Sequence, residues 1–380
     1  MPTRIDLSGV PILDHHAHAL VNANVPMPME KWQGYFTESP NALVKQRDVP
    51  HTIMWKWGIR ELAGYLKCEP TAEAVYSARS AVPLTELANG MWRDTNSEAL
   101  FLDYYGFATH ENYTIEEMAA TFNQKIEKLL RIETFAQDLI LQHDTFDAFL
   151  DAFIAGIAGA KAAGHIGLKS IIAYRTGLDI RGVSREEAAQ AFEEIKPIAD
   201  AQGEIRLADK TLCDFLVITA LVIANEQSLP FQFHTGLGDT DLDMIKANPF
   251  HMRQLFESRR FDRVKFVLLH GAYPYTRELG YLAAMYPNIY MDISLAIPFI
   301  TTQIPVMLRE AFGLTPLNKI LYSSDAFSIP EIYWLANRWG RAALEQVLGE
   351  IVDAGALTEK EAFEAGERIL NRNIREVYWG

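Results

Sequence analysis

The chain has 380 residues, 49% of them hydrophobic and 22% charged, an ordinary globular composition with ample apolar content for a large core. A formal net charge of −14 argues against nucleic acid or an anionic membrane surface as partner, though a small anionic substrate would feel only the local field of a pocket. Cys68 and Cys213 are too few for a disulfide framework or a cysteine zinc site, and neither a leader segment nor an apolar run of about 18 residues is visible, so a soluble cytoplasmic protein is expected.

The first element is a short apolar strand, Pro11-Ile12-Leu13-Asp14, running into His15-His16-Ala17-His18. Side chains alternate along a strand, so His16 and His18 share a face, an arrangement that suits a divalent metal. Residues 21 to 97 differ in character from the rest of the chain. A Pro-Met-Pro loop precedes helical patterns over 51–65, 71–81 and 84–91, with Met54, Trp55, Trp57 and Trp92 in or beside them. This stretch reads as a helical insertion after the first strand. Its aromatics form either a packing core of their own or a lid over a pocket.

From residue 98 the chain alternates. Strands are expected at 100–104, 129–133, 166–174, 229–233, 264–269, 289–293 and 319–323. Helices are expected at 114–123, 145–163, 184–202, 210–226, 242–258, 275–285 and 301–312, with two more at 328–352 and 358–378. Thr114 with Glu117 makes a capping-box pattern, and Gly164 closes a long helix. Most strands are continuous apolar runs, as expected when both faces are buried, and strict alternation implies a parallel sheet. Eight units close into a (β/α)8 TIM barrel, which fits residues 1–380 as one domain. A doubly wound sheet is the alternative, but its Gly-rich phosphate turn would stand where His16 and His18 are.

Barrel chemistry sits at the C-terminal strand ends. Strand one ends in His16 and His18, strand five in His234, strand six in His270 and strand eight in Asp325. Four histidines and an aspartate on one barrel face point to a metal centre. Lys169 lies inside the apolar fourth strand, where an unpaired ammonium is costly. It either pairs with Glu133 on the third strand or is carbamylated by carbon dioxide, an anionic group able to bridge two cations; the carbamate is favoured. Arg175, after strand four, either clamps a substrate carboxylate or pairs with Asp179. Tyr174 and Tyr273 can face the same pocket, Arg277 falls on the next helix, and Asp239 and Asp241 read as loop caps.

This set, His16-Ala17-His18, Lys169, His234, His270 and Asp325, resembles the amidohydrolase superfamily of metal-dependent hydrolases. Lys169 to Leu178, His234 to Asp239 and His270 to Tyr275 are similar to the amidohydrolase-2 branch found fused to glutamine-synthetase-like domains, no such domain being expected here. The resemblance implies two divalent ions, with zinc expected. His16, His18 and Asp325 would hold the more buried ion, His234 and His270 the more exposed one, and carbamylated Lys169 would lie between them; a single ion is the variant. It implies hydrolysis of a small carboxylate-bearing amide, a γ-glutamyl amide among them, with Asp325 moving the proton. Alternatives are a one-metal decarboxylase with His270 as acid–base, a sugar-acid isomerase, or a metal-bearing binding protein without turnover. Substrate identity and self-association are not encoded in any motif of the chain.

Overall fold

A computed structural model describes residues 3–103 and 110–380. Eight strands form one sheet in sequence order, each parallel to the next. They are β1 Ile12–Ala17, β2 Ser97–Asp103, β3 Lys125–Arg131, β4 His165–Ser170, β5 Pro230–Phe233, β6 Lys265–Leu268, β7 Ile289–Asp292 and β8 Ile320–Leu321. The last strand returns to the first. Asp325 N–H donates to His16 O at 2.9 Å, His18 N–H donates to Ala326 O at 2.9 Å, and Leu20 bridges Ser328 in parallel. The sheet is therefore a barrel, and the strand-end residues of β1 and β8 are held side by side.

Inside the barrel, Leu13, Phe101, Leu129, Val267 and Leu321 pack with Ile374, Val377 and Tyr378. The last three belong to the closing helix Asn373–Tyr378. Tyr378 Oη accepts a hydrogen bond from the amide of Gln232 at 2.7 Å and lies 3.2 Å from His15 Nδ1, so this interior packing reaches the polar layer beneath the strand ends. The pairing of β1 with β2 shifts register between Asp14 and Ala17. Around this irregularity His15 faces Asp292 of β7, while His16 and His18 both face Asp325.

The stretch between β1 and β2 is helical at Ile53–Leu66, Ala72–Ser80 and Leu84–Asp94. Trp32, Phe36 and Trp55 pack edge to face at 4.9–5.3 Å, an aromatic core of its own. The stretch also docks on the helix Pro330–Asp353 that comes after β8. Trp57 stacks on Trp339 at 4.3 Å, and the buried carboxylate of Glu331 takes the Trp32 indole at 3.0 Å and pairs with the Arg79 guanidinium. Tyr35 reaches Phe327 beyond the end of β8, so part of the stretch lies at the C-terminal face of the barrel.

Several expected bounds shift, each for a local reason. The third strand runs over 125–131, so Glu133 lies in the first turn of the helix Ile132–Gln142, an element that the sequence pattern did not announce. The fourth strand stops at Ser170 because Glu133 takes the next amide, Ile171 N–H, at 3.0 Å, and a short helical turn, Ile172–Arg175, comes next. The helix expected over 242–258 shrinks to Pro249–Met252 and Arg253–Glu257. Side chains of Asp239, Asp243 and Asn248 each accept from the amide two residues on, at 2.8–3.0 Å, which offers the backbone turns in place of a helix. The expected strand end at Tyr104 lies outside the described residues.

Candidate metal centre

Strand ends and the loops after them place the polar side chains. His270 and Asp325 both have left-handed backbone, φ 68° and 52°. Each such conformation costs on the order of 1–3 kcal/mol for a non-glycine residue and persists only where neighbours fix it. Here they do. His270 N–H donates to Asp292 Oδ1 at 2.9 Å, and Asp325 N–H donates to His16 O. Asp14 adds a clamp, its buried carboxylate accepting from Ser324 N–H at 2.8 Å.

Asp325 is the hub. Its Oδ1 lies 3.0 Å from His16 Nε2 and 3.1 Å from His18 Nε2, and its Oδ2 lies 3.5 Å from His270 Nδ1. His16, His270 and Asp325 offer ligand atoms all within 4.8 Å of one another. The Lys169 amine is 3.2 Å from His16 Nε2, and His270 Nε2 is 2.8 Å from His234 Nδ1. All six side chains are buried, His270 completely.

Electrostatics prepare these groups as donors of lone pairs. Burial, reinforced by the Lys169 charge, drops His16 to about 3. Burial also lowers His270 to about 4 and carries His234 well below the imidazole range. Burial pushes Asp325 up, but the fields of His270 and His16 outweigh it and hold the carboxylate well below its ordinary range. At neutral pH His16, His234 and His270 are thus neutral imidazoles beside an ionised Asp325 carboxylate, the protonation states a metal requires. Asp325 Oδ1 makes no hydrogen bond of acceptable angle despite two nitrogens near 3 Å. Imidazole nitrogens and a carboxylate oxygen gathered this closely are what a divalent cation fits.

A second layer fixes the imidazoles. Ser294 Oγ is 2.8 Å from His270 Nδ1, and its hydroxyl donates to Asp292 Oδ1. With that proton committed, His270 Nδ1–H is the donor to Ser294 and Nε2 carries the lone pair. Asp292 also receives Ser323 Oγ at 2.6 Å and faces His15 Nε2 at 3.1 Å.

A cavity of about 220 Å³ opens over the centre, enough for a small molecule. His16, His18, Lys169, His234 and Asp325 line it, as do Tyr174 and Arg175. Arg175 is not paired with Asp179, whose carboxylate goes to Arg181. Tyr273 is not among the lining residues; its carbonyl accepts from Leu237 N–H at 2.7 Å. Arg277 lies on the next helix, as expected, and pairs with Glu310. Asp239 caps its loop by accepting from Asp241 N–H, the Asp241 carboxylate instead pairs with Arg206, and both line the cavity. Gly236 is required where it stands: φ is 67°, and a Cβ there would collide with the Ala272 backbone. Lys169 does not pair with Glu133, which holds Ser170 and Ile171; burial lowers its pKa to about 8 against the opposing pull of Asp103 and Asp325.

Sequence reasoning missed Glu38, Asp103, Arg131, Asp292 and Ser294. Asp292 ends β7, so the strand-end search would have found it if carried to the seventh strand. Arg131 lines the cavity but is committed to Asp103, its Nε donating to both carboxylate oxygens at 2.8–3.0 Å. Nothing in the local sequence marks Glu38.

The amidohydrolase family model, Amidohydro_2, matches residues 180–378. Protein fluG of Emericella nidulans is 31% identical over 396 aligned residues, covering 97% of this chain and 45% of fluG, so the chain spans less than half that relative's length. A crystal structure of a protein assigned as a metal-dependent hydrolase from Lactobacillus casei ATCC 334 superposes with a TM-score of 0.89 at 30% identity, covering 100% of this chain and 98% of that one. Uronate isomerase of Thermotoga maritima superposes at 0.67 with 15% identity, covering 99% and 95%, a likeness of fold.

Proposed function

Since this chain belongs to the amidohydrolase family, we propose that it is a metal-dependent hydrolase of a small carboxylate-bearing amide, a γ-glutamyl amide being one such compound. One observation carries the reading. The Asp325 carboxylate meets the His16 and His18 imidazoles at 3.0 and 3.1 Å without a hydrogen bond, beneath a small cavity that also holds a guanidinium. His16, His18, His270 and Asp325 would hold the ion, with zinc the first candidate, and His234 and carbamylated Lys169 would serve a second.

When bound, such an ion lowers the pKa of a coordinated water to about 7 and polarises a carbonyl. The rest is the work of the side chains. Asp325, ionised and within reach of the cavity, takes the proton from the attacking water and delivers it to the leaving nitrogen. Arg175 binds the substrate carboxylate through its fork of donors, and Tyr174, whose ring lies 4.4 Å from His234, packs beside it. The neutral fraction of Lys169 supplies the amine that adds carbon dioxide.

A second reading is a one-ion enzyme in which His270 acts as acid–base. It is favoured by the engagement of both His270 nitrogens within the protein, with Ser294 and with His234, at 2.8 Å each. Metal content per chain, together with a turnover screen of amides of short dicarboxylic acids monitored by amine release, tests both. Chelation should abolish turnover and zinc should restore it. Turnover that survives complete metal removal would overturn the hydrolase reading, and carbon dioxide release from a carboxylic acid without amine release would favour the second.

A further inference from the structure

Outside the candidate metal centre, two buried polar atoms of the cavity lining have no hydrogen-bond partner among the described residues: Glu38 Oε1 and Arg175 Nε. They belong to an acid and a base and come from different parts of the chain. Arg175 comes just after β4, and Glu38 lies just beyond the turn Gly34–Phe36 in the stretch between β1 and β2. A buried polar atom left without a partner is destabilising, so two in one small cavity call for a ligand that pairs both.

The neighbours sort the charges. Glu38 is faced by the carboxylates of Asp325 and Asp239, with Lys45 the one cation acting on it, and burial with that like-charge field keeps its carboxyl up at about 8. Tyr174 feels the acids Asp239 and Glu38 as well. Arg175 is faced by Arg206 and Arg131, with Glu133 the nearby acid. Of the other cations in or near the lining, Lys169 belongs to the candidate metal centre, Arg131 is spent on Asp103, and Arg206 on Asp241 and the Tyr174 carbonyl. Outside the candidate metal centre, the cavity therefore presents a cationic donor in Arg175 and an acidic acceptor in Glu38.

We propose that Glu38 is a substrate-binding residue that accepts hydrogen bonds from a cationic nitrogen of the substrate while Arg175 holds its carboxylate, so that the cavity takes small amino-acid-like zwitterions. This rests on the reading of the cavity as the active site and narrows it, since a carboxylate alone would satisfy Arg175 and leave Glu38 buried without a partner. It also gives the stretch between β1 and β2 a role in choosing substrate, because it supplies the acidic half of the recognition.

The test uses metal-loaded protein and straight-chain ω-amino acids of about three to six carbons, each compared with the monocarboxylate of the same length; the series samples the span between two opposite charges that a 220 Å³ cavity can hold. At least one amino acid should bind about tenfold or more tightly than its carboxylate, equivalent to about 1.4 kcal/mol. Glu38→Gln should erase that preference while leaving carboxylate affinity and metal content unchanged, and Arg175→Met should weaken both series. Unchanged carboxylate binding by the Glu38→Gln protein also shows that it is folded. The proposal is overturned if no length shows a preference, if the preference survives Glu38→Gln, or if that variant loses a metal ion. Failure of the underlying hydrolase reading is recorded separately, as turnover that persists without metal.

Discussion

Replacing Lys169 by methionine in metal-stripped protein isolates what the buried amine costs. Lys169 is 2% exposed, and burial, only partly opposed by Asp103 and Asp325, takes its pKa from 10.5 to about 8. A lysine lowered in this way holds its proton more weakly when folded than when unfolded. Below about pH 8 both states are protonated and the folded state carries the whole penalty. Between about pH 8 and 10.5 the folded amine is already neutral while the unfolded one is still charged, and the penalty shrinks; above that window it is gone. At ~1.4 kcal/mol per pH unit, the penalty at neutral pH is about 3 kcal/mol. Methionine keeps the length of the side chain without the charge, and the hydrogen-bond partner it gives up among the described residues is His16. Urea unfolding of both proteins across a pH series should therefore show Lys169→Met more stable by about 2–3 kcal/mol at pH 7, the gap closing as pH rises through that window. Titrating groups away from Lys169 cancel in the difference, and His16 and His270, which feel its charge, titrate well below this window. Equal stability at pH 7, or a gap that does not change with pH, would refute the account of Lys169 as a destabilised ammonium.

The same centre yields two further expected outcomes. Ser294→Ala removes the acceptor that fixes the His270 tautomer and should weaken metal affinity or turnover by roughly 10–100-fold, read by chelator competition; a change under about twofold would show that Ser294 does not orient the ring. A pKa of about 8 leaves about a tenth of Lys169 neutral at pH 7, against well under a thousandth for an ordinary lysine, so bicarbonate together with zinc should add the mass of one carbon dioxide to the wild type and not to Lys169→Ala. Fully metallated protein without that added mass would exclude the carbamate and favour the one-ion reading.

The sequence alone determined the barrel and most of the polar residues of its C-terminal face. Apolar runs of strand length separated by helix-length segments admit few arrangements, because each buried strand must be parallel to the next and covered by a crossover. Strand ends then name their own occupants, which is why His16, His18, Lys169, His234, His270 and Asp325 could be picked from alternation and position before any coordinates. Three-dimensional packing decided the rest. Glu133 left the third strand and took up the end of the fourth, since pairing with β4, whose last match on β3 is Arg131 with Lys169, and not apolar content, sets where β3 stops. The helix expected over 242–258 gave way to turns because short polar side chains competed for backbone amides within it. Glu38 came to the cavity from a loop far from β4 to β8 in sequence, and Asp292 and Ser294 came to stand behind His270. Such meetings depend on how separate segments are packed against the barrel, and no local pattern of residues records that.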